Sequence, residues 1–359
     1  MVVASSCGVA PMSDTSRSRR RFLNDAVNTS AAFAIALPDL GFAGRQNAGT
    51  GSVPKRKFGR HPDQVSILGV GGHHLGNAAT VQDATAIVHE AVDNGINFCD
   101  NAWEYNNHRS EEWLGAALAG GYRDKLFLMT KVCTHGRDAS VAMQMLEDSL
   151  KRLGTDHLDL CQIHAVSYDN DPELAYRTGG VIEAFEQAKK QGKTRYVGFS
   201  GHKDPRIHTK MIDMGYAWDS VQFPINPFDA QFRSFQQTVL PDAMQRGIAV
   251  LGMKPLCGDG SPFHHADVKL TPEQALRYAM SVPGVTTNIT GMESLAVLRQ
   301  YLAILKDFHP MDETERQQLV AAVQPFAGDG RFELYKTSLL YDNTVTRQMH
   351  EMPIKGAHA

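Results

Sequence analysis

From residue 57 onward the chain repeats one device: a short run rich in β-branched and apolar residues, then an amphipathic helical stretch. Strand-like runs occupy residues 65–71, 97–100, 126–132, 158–164, 195–200, 220–225, 249–254 and 286–290, eight in all. Between the first two, Val81, Ala84, Ile87, Val88, Ala91 and Val92 recur at helical spacing, and Asn94-Gly95 closes that helix. Met145, Leu146, Leu150 and Leu153 mark another helix ended by Gly154, and residues 181–191 repeat the pattern before Gly192. Strand alternating with helix implies a parallel sheet covered by helices, and eight such units predict an α/β fold of the (β/α)8 TIM-barrel type. A doubly wound open sheet is the rival. It lacks its fingerprint: Gly69, Gly71 and Gly72 lead into His73-His74 and not into G-x-G-x-x-G.

Composition narrows the partners. The 359 residues are 42% hydrophobic and 21% charged, with a formal net charge of -3 and basic residues scattered outside one N-terminal cluster. Neither nucleic acid nor an anionic membrane surface is favoured by that balance, so small-molecule partners are expected. The five cysteines, Cys7, Cys99, Cys133, Cys161 and Cys257, form no C-x-x-C pair, and spacing supports no disulfide framework, zinc site or iron–sulfur cluster. Small buried hydrophobes are their expected role.

The first residues are of a different kind. Ser18-Arg19-Arg20-Arg21-Phe22-Leu23 precedes a weakly apolar, small-residue stretch, and Gly41 and Ala43 offer small residues before a cut. This layout resembles a twin-arginine export signal, so residues 1–43 are expected to be a signal peptide read by the twin-arginine machinery, with a periplasmic or otherwise exported destination. Without a working signal the protein stays cytoplasmic. The stretch is too polar for a stable membrane anchor. Residues 44–56 read as a linker, 57–305 as the barrel and 306–359 as an extension packing on it.

In a barrel of this type the active site lies where the strands end and the following loops begin. Polar residues ending apolar runs are Asp100, Lys131, His164, Ser200, Gln222, Asn226 and Lys254, with Tyr105 one short loop beyond Asp100. A tyrosine is a reluctant acid at neutral pH unless a cation is near. Lys131 can supply that cation, Asp100 can hold the lysine, and His164 can meet a carbonyl oxygen, which together make a proton donor aimed at oxygen. Taken singly, each has a plainer role: an ion pair, a packed loop aromatic beside Trp103 and Trp113, a strand-end histidine.

GINFCDNAWEYN, SEEWLGAAL, FLMTKV, SLKRLGTDHLDLCQIH, GKTRYVGFS and ALRYAMSVPGVTTNITG together resemble the aldo-keto reductase family, and the likeness runs from about residue 56 to residue 305. It implies that Asp100, Tyr105, Lys131 and His164 are the family's catalytic tetrad. It also implies an NAD or NADP cofactor bound without a Rossmann domain, and hydride transfer to the carbonyl of an aldehyde, ketone or sugar with Tyr105 giving the proton. Ser200 and Gln222 match positions that hold the nicotinamide carboxamide, although the Asn that usually follows the serine is Gly201 here, so that either one carboxamide partner is missing or His202 takes its place. Met253 takes the place of a stacking aromatic residue, with Lys254 beside it. Gly291, Glu293 and Ser294 fall where the adenosine end is held. Glu293 replaces the cation that usually meets a 2′-phosphate, which argues for NAD, while family frequency leaves NADP slightly ahead.

Trp103, with His164, is expected to face the substrate, and Phe332, Tyr335, Leu340 and Tyr341 either cover the mouth or pack on the outer helices. The extension has no cysteine for a ferredoxin-like cluster. Two other classes compete with the reductase. One is a nicotinamide-binding redox sensor or regulatory subunit with incidental turnover; the other is a lyase or isomerase using Lys254 as a Schiff-base amine.

Overall fold

Alternation along each strand assigns every side chain to the inside or the outside of a closed sheet. The computed structural model describes residues 53–133 and 137–342. The expected export signal, residues 44–52 of the expected linker and the stretch after residue 342 lie outside the described residues. The strands β1 (Lys55–Lys57) and β2 (Gln64–Ser66) make an antiparallel hairpin. The barrel follows: β3 (Leu68–Gly71), β4 (Phe98–Asp100), β5 (Phe127–Val132), β6 (Leu158–Ile163), β7 (Thr194–Ser200), β8 (Ser220–Pro224), β9 (Ala249–Met253) and β10 (Val285–Gly291). These eight are parallel in chain order, and β10 closes the ring by pairing with both β9 and β3.

The run expected at 65–71 is therefore divided between the hairpin and the first barrel strand. The reason is the hairpin's job as a floor. Arg56 donates to the carbonyls of Val285 and Met280, each at 2.6 Å, anchoring the hairpin under β10. From that position Phe58 and Val65, both wholly buried, join Phe98, Phe127, Met129, Leu160, Ala249, Leu251 and Ile289 in the apolar filling of the barrel. A second, larger core lies between sheet and helices, where Cys99, Leu128, Val132, Cys161, Val197, Phe199, Val221 and Phe223 meet helical residues such as Ile87, Val88, Leu146 and Leu150.

Local signals start and stop the helices. Thr80 caps Val81–Asp93 by accepting from the Asp83 amide, and Asp138 caps Ala139–Leu153, which ends at Gly154 with a φ of 64°. Ala84, Ile87, Val88 and Ala91 form the buried stripe of the first of these helices, at the periodicity its sequence carries. Among the described residues no helix is long and apolar enough to cross a membrane.

After the helix Leu295–Lys306 completes the eighth unit, Glu313–Ala327 and the short Leu334–Thr337 follow. The last segment is tied to loops at the strand C-termini by charge. Lys336, wholly buried, lies 2.6 Å from both Asp229 and Glu333 and donates to the Phe232 carbonyl. Tyr335, equally buried, donates to Glu333 and accepts from Asn226 Nδ2. Lys203 reaches Asp342 at 2.8 Å. Burial pushes the Glu333 carboxyl up to about 7 while the Lys336 ammonium opposes the shift.

Removing the lysine would leave two carboxylates buried without a cation, a defect costing about 3–5 kcal/mol. Lys336→Met is therefore expected to lower unfolding stability by about that amount in urea melts. The folded Glu333 holds its proton to higher pH than the unfolded one, so its protonated form stabilises at low pH and that contribution fades as pH rises through about 7. The loss in the variant should accordingly be smaller at about pH 5.5 than at about pH 8.

Candidate active site

The parity that fills the barrel also builds its mouth. On β4 the inward residues are Phe98 and then Asp100; on β5 they are Phe127, Met129 and then Lys131. Outward neighbours Cys99, Leu128 and Val132 join the helix-facing core, which fixes the register. Continuing the same count, Gln162 and His164 follow Leu160, Ser200 follows Gly198, Gln222 follows Ser220, Met253 follows Leu251 and Gly291 follows Ile289. Apart from β9 with its Met253, these strands end their inward layers in a polar or small residue at the level where the loops begin. Gly198 is needed one layer below: a Cβ there would stand 2.4 Å from the Ser220 carbonyl oxygen.

Four of the expected residues are brought together. Lys131 is 1% exposed, and its ammonium is bonded to the Asp100 carboxylate, to the Asn101 carbonyl at 2.9 Å and to the Tyr105 hydroxyl at 3.3 Å. It also stands 4.9 Å from the centre of the Tyr105 ring. His164, just beyond β6, meets that ring edge-on at 5.4 Å. Burial and the charges of Asp100 and Glu104 hold the Tyr105 phenol well above its ordinary value, so it carries its proton at neutral pH. Burial lowers the Lys131 ammonium, against which Asp100 and Glu104 act.

Three further residues close this half of the mouth. His73 also meets the Tyr105 ring edge-on, at 5.4 Å, and burial with nearby cations lowers it to about 4, so it is neutral. Glu104 and Cys133 stand beside His164, with Glu104 Oε1 2.7 Å from its Nδ1. Sequence reasoning passed over all three. His73 follows β3 directly, a strand-end position like those selected, whereas Glu104 and Cys133 carry no local signal.

Trp103 has a different setting from its neighbours in the loop. Its indole packs 5.6 Å from the Arg152 guanidinium and edge-on to His108, while its amide donates to the Lys131 carbonyl and lays the loop across β5.

The other half of the mouth holds polar atoms without partners. Gln222 Oε1 and His202 Nε2 are buried and make no hydrogen bond. Ser200 Oγ is within 3.3 Å of the Ala165 amide and the Ile163 carbonyl. A primary amide placed here would satisfy both orphans, so the residues fit the carboxamide of a nicotinamide. Met253 ends β9, and Lys254 follows at a φ of 54°, its ammonium 5.5 Å from the Tyr335 ring and 5.2 Å from that of Tyr341. Burial and the Lys131 charge lower Lys254 to about 8. Gly291 is packed under the His74 ring, which a Cβ would strike. Glu293 is exposed, and Ser294 caps the helix Leu295–Lys306 by accepting from the Val297 amide.

Residues 67–261 match the model of the aldo/keto reductase family. An uncharacterised oxidoreductase of Bacillus subtilis, YqkF, is 33% identical over 288 residues, spanning 68% of this chain and 89% of that protein. The L-galactose dehydrogenase of Arabidopsis thaliana is 24% identical over 314 residues, 76% of this chain and 95% of the relative. The 6-dehydroglucose reductase of Novosphingobium aromaticivorans is 30% identical over 217 residues, 56% of this chain and 69% of the relative. Among solved structures, the holo form of aldo-keto reductase AKR11C1 from Bacillus halodurans superposes with a TM-score of 0.63 at 24% identity, covering 75% of this chain and 96% of that one. The barrel, the family match and these relatives agree: the chain belongs to the aldo/keto reductase family and is an oxidoreductase of the NAD(P)-dependent kind that family comprises.

Proposed function

We propose that the protein reduces the carbonyl of an aldehyde, ketone or sugar, and oxidises the corresponding alcohol in reverse, with Tyr105 as the proton donor. The observation that carries this reading is the Lys131 ammonium, bonded at once to Asp100 and to the Tyr105 hydroxyl. A bound reduced nicotinamide supplies the hydride. As charge develops on the substrate oxygen, the Tyr105 O–H bond breaks and its proton passes to that oxygen. The phenolate left behind is stabilised by Lys131. Asp100 keeps the lysine charged and aimed, and in the reverse direction the same phenolate takes the alcohol proton. His164, edge-on to Tyr105, flanks the oxygen's place, with the Glu104 carboxylate beside its ring. Gln222 and His202 would hold the carboxamide of a nicotinamide, with Ser200 and the Met253 thioether lining the same part of the mouth. Lys254, with Tyr335 and Tyr341 against it, lies within reach of the charges of Lys131 and Asp100. Two relatives are named for sugars, which favours a polyhydroxylated carbonyl substrate.

Gly291 and Ser294, at the start of a twelve-residue helix, would hold the adenosine end of the nucleotide. Glu293 decides between the nucleotides there, because an exposed carboxylate repels a 2′-phosphate and accepts hydrogen bonds from a ribose hydroxyl. Export through the twin-arginine route suits an enzyme that leaves the cytoplasm folded with its nucleotide bound.

Three outcomes are expected. Tyr105→Phe should lower kcat for carbonyl reduction by roughly 10²–10⁴, the range for losing a positioned acid, with nucleotide affinity by fluorescence titration close to wild type; retained turnover would sink the assigned donor. Glu293→Arg should shift the NADPH-to-NADH ratio of Kd values by at least about tenfold toward NADPH, roughly 1.4 kcal/mol. An unchanged ratio would remove Glu293 from the cofactor site. In a host with the twin-arginine pathway, changing Arg19 and Arg20 to lysine should keep the full chain in the cytoplasmic fraction, and continued export would refute the signal.

A further inference from the structure

Beside the tetrad, Glu104, Cys133 and His164 offer a carboxylate oxygen, a thiol sulfur and an imidazole nitrogen, all within 4.8 Å of one another. We propose that these three residues form a binding site for a zinc-class divalent cation. Spacing along the chain links none of them, and the barrel brings them together. Val132 and Ile163 are register partners at the ends of β5 and β6, so Cys133 and His164 are the next pair beyond the sheet. The Trp103 amide, bonded to the Lys131 carbonyl, lays the loop after β4 over that pair and so delivers Glu104.

The backbone under the site is fixed. Arg137, wholly buried, donates to the carbonyls of His164 and Ala165 at 2.8 and 2.9 Å and is paired with Asp171. His164 Nδ1 is 2.7 Å from Glu104 Oε1 yet lies off the line a hydrogen bond needs. A tetrahedral ion bound at about 2.0–2.3 Å sets its ligands roughly 3.3–3.8 Å apart. The imidazole and carboxylate must therefore part by less than about 1 Å and the sulfur close by no more than about 1.5 Å, movements within reach of side-chain rotation.

The donor set selects the ion. Sulfur and imidazole favour zinc and its soft neighbours over calcium or magnesium, which require oxygen ligands. Three protein ligands leave a fourth position for water. The thiol gives up its proton as the sulfur–metal bond forms, so nothing is oxidised and one proton is released, and binding tightens as pH rises. Occupancy takes Nδ1 of His164 and neutralises Glu104 beside Tyr105. Its effect on turnover rests on the reductase reading; the binding itself does not.

The test uses the tag-free full chain after treatment with a chelator. Competition against a chromophoric chelator should give one Zn²⁺ per chain with a Kd of about 10 µM or below, and Co²⁺ should produce a sulfur-to-cobalt charge-transfer absorption. Cys133→Ser should abolish that absorption and weaken Zn²⁺ at least about tenfold, and Glu104→Gln should weaken it by a similar factor. Cys133→Ala, checked by thermal melting, repeats the test with a second replacement. No binding at about 100 µM, or binding unchanged in both Cys133 variants, overturns the site. Where carbonyl reduction is measurable, Zn²⁺ should suppress it in proportion to occupancy in the wild type. Zinc bound with the cobalt band present but turnover unchanged would overturn the coupling and leave the site.

Discussion

A lysine ammonium 1% exposed inside a barrel cannot exist without compensation, and most of the mouth is arranged around that requirement. Asp100 supplies the counter-charge, the Asn101 carbonyl a further acceptor, and the Tyr105 hydroxyl the remaining contact. Those partners come from β4 and its loop. Parallel pairing of β4 with β5 through Phe98–Phe127 and Cys99–Leu128 therefore sets the geometry on which proton transfer depends. The same need explains why the apolar filling stops where it does: one more inward hydrophobe on β4 would have displaced the carboxylate that keeps Lys131 charged.

Charge is buried a second time at the rim. Asp229, Glu333 and Lys336 are all wholly buried and tie the C-terminal segment to the loop after β8, while Lys203 and Asp342 tie it to the loop after β7. Nearby, Asn226 donates to both Tyr335 and the Lys254 carbonyl. Directional bonds of this sort specify where a segment sits more narrowly than apolar contact does, and Tyr335 and Tyr341 thereby come to rest against Lys254 and His202.

Much of this is legible from residues alone because a parallel barrel has two simple periodicities. The alternation on β4 and β5 already places Asp100 and Lys131 on one face, and the helical stripe of Ala84, Ile87, Val88 and Ala91 fixes the outer layer. What escapes is whatever depends on register between strands or on a loop's path. Glu104, Cys133 and His164 are separated by 29 and 31 positions, and only the offset of β5 against β6 makes two of them neighbours. Trp103 is picked out by its place in the loop after β4, whereas its packing against Arg152 depends on that loop's path and is not legible from the sequence. The split of the first strand-like run has the same origin, since nothing in QVSILGV announces that its first half will pair with Lys55–Lys57.

The barrel's two arcs also differ in what holds them. Asp100, Lys131 and His164 sit on strand ends whose positions follow from the sheet, whereas the cover over β7, β8 and β9 is a separate stretch of chain fastened by a handful of side chains. Drift in the cover can then reshape the pocket wall while the proton path is left alone. Such a chain is free to explore new substrates by editing its tail, in the way a tool keeps its motor and changes its bit.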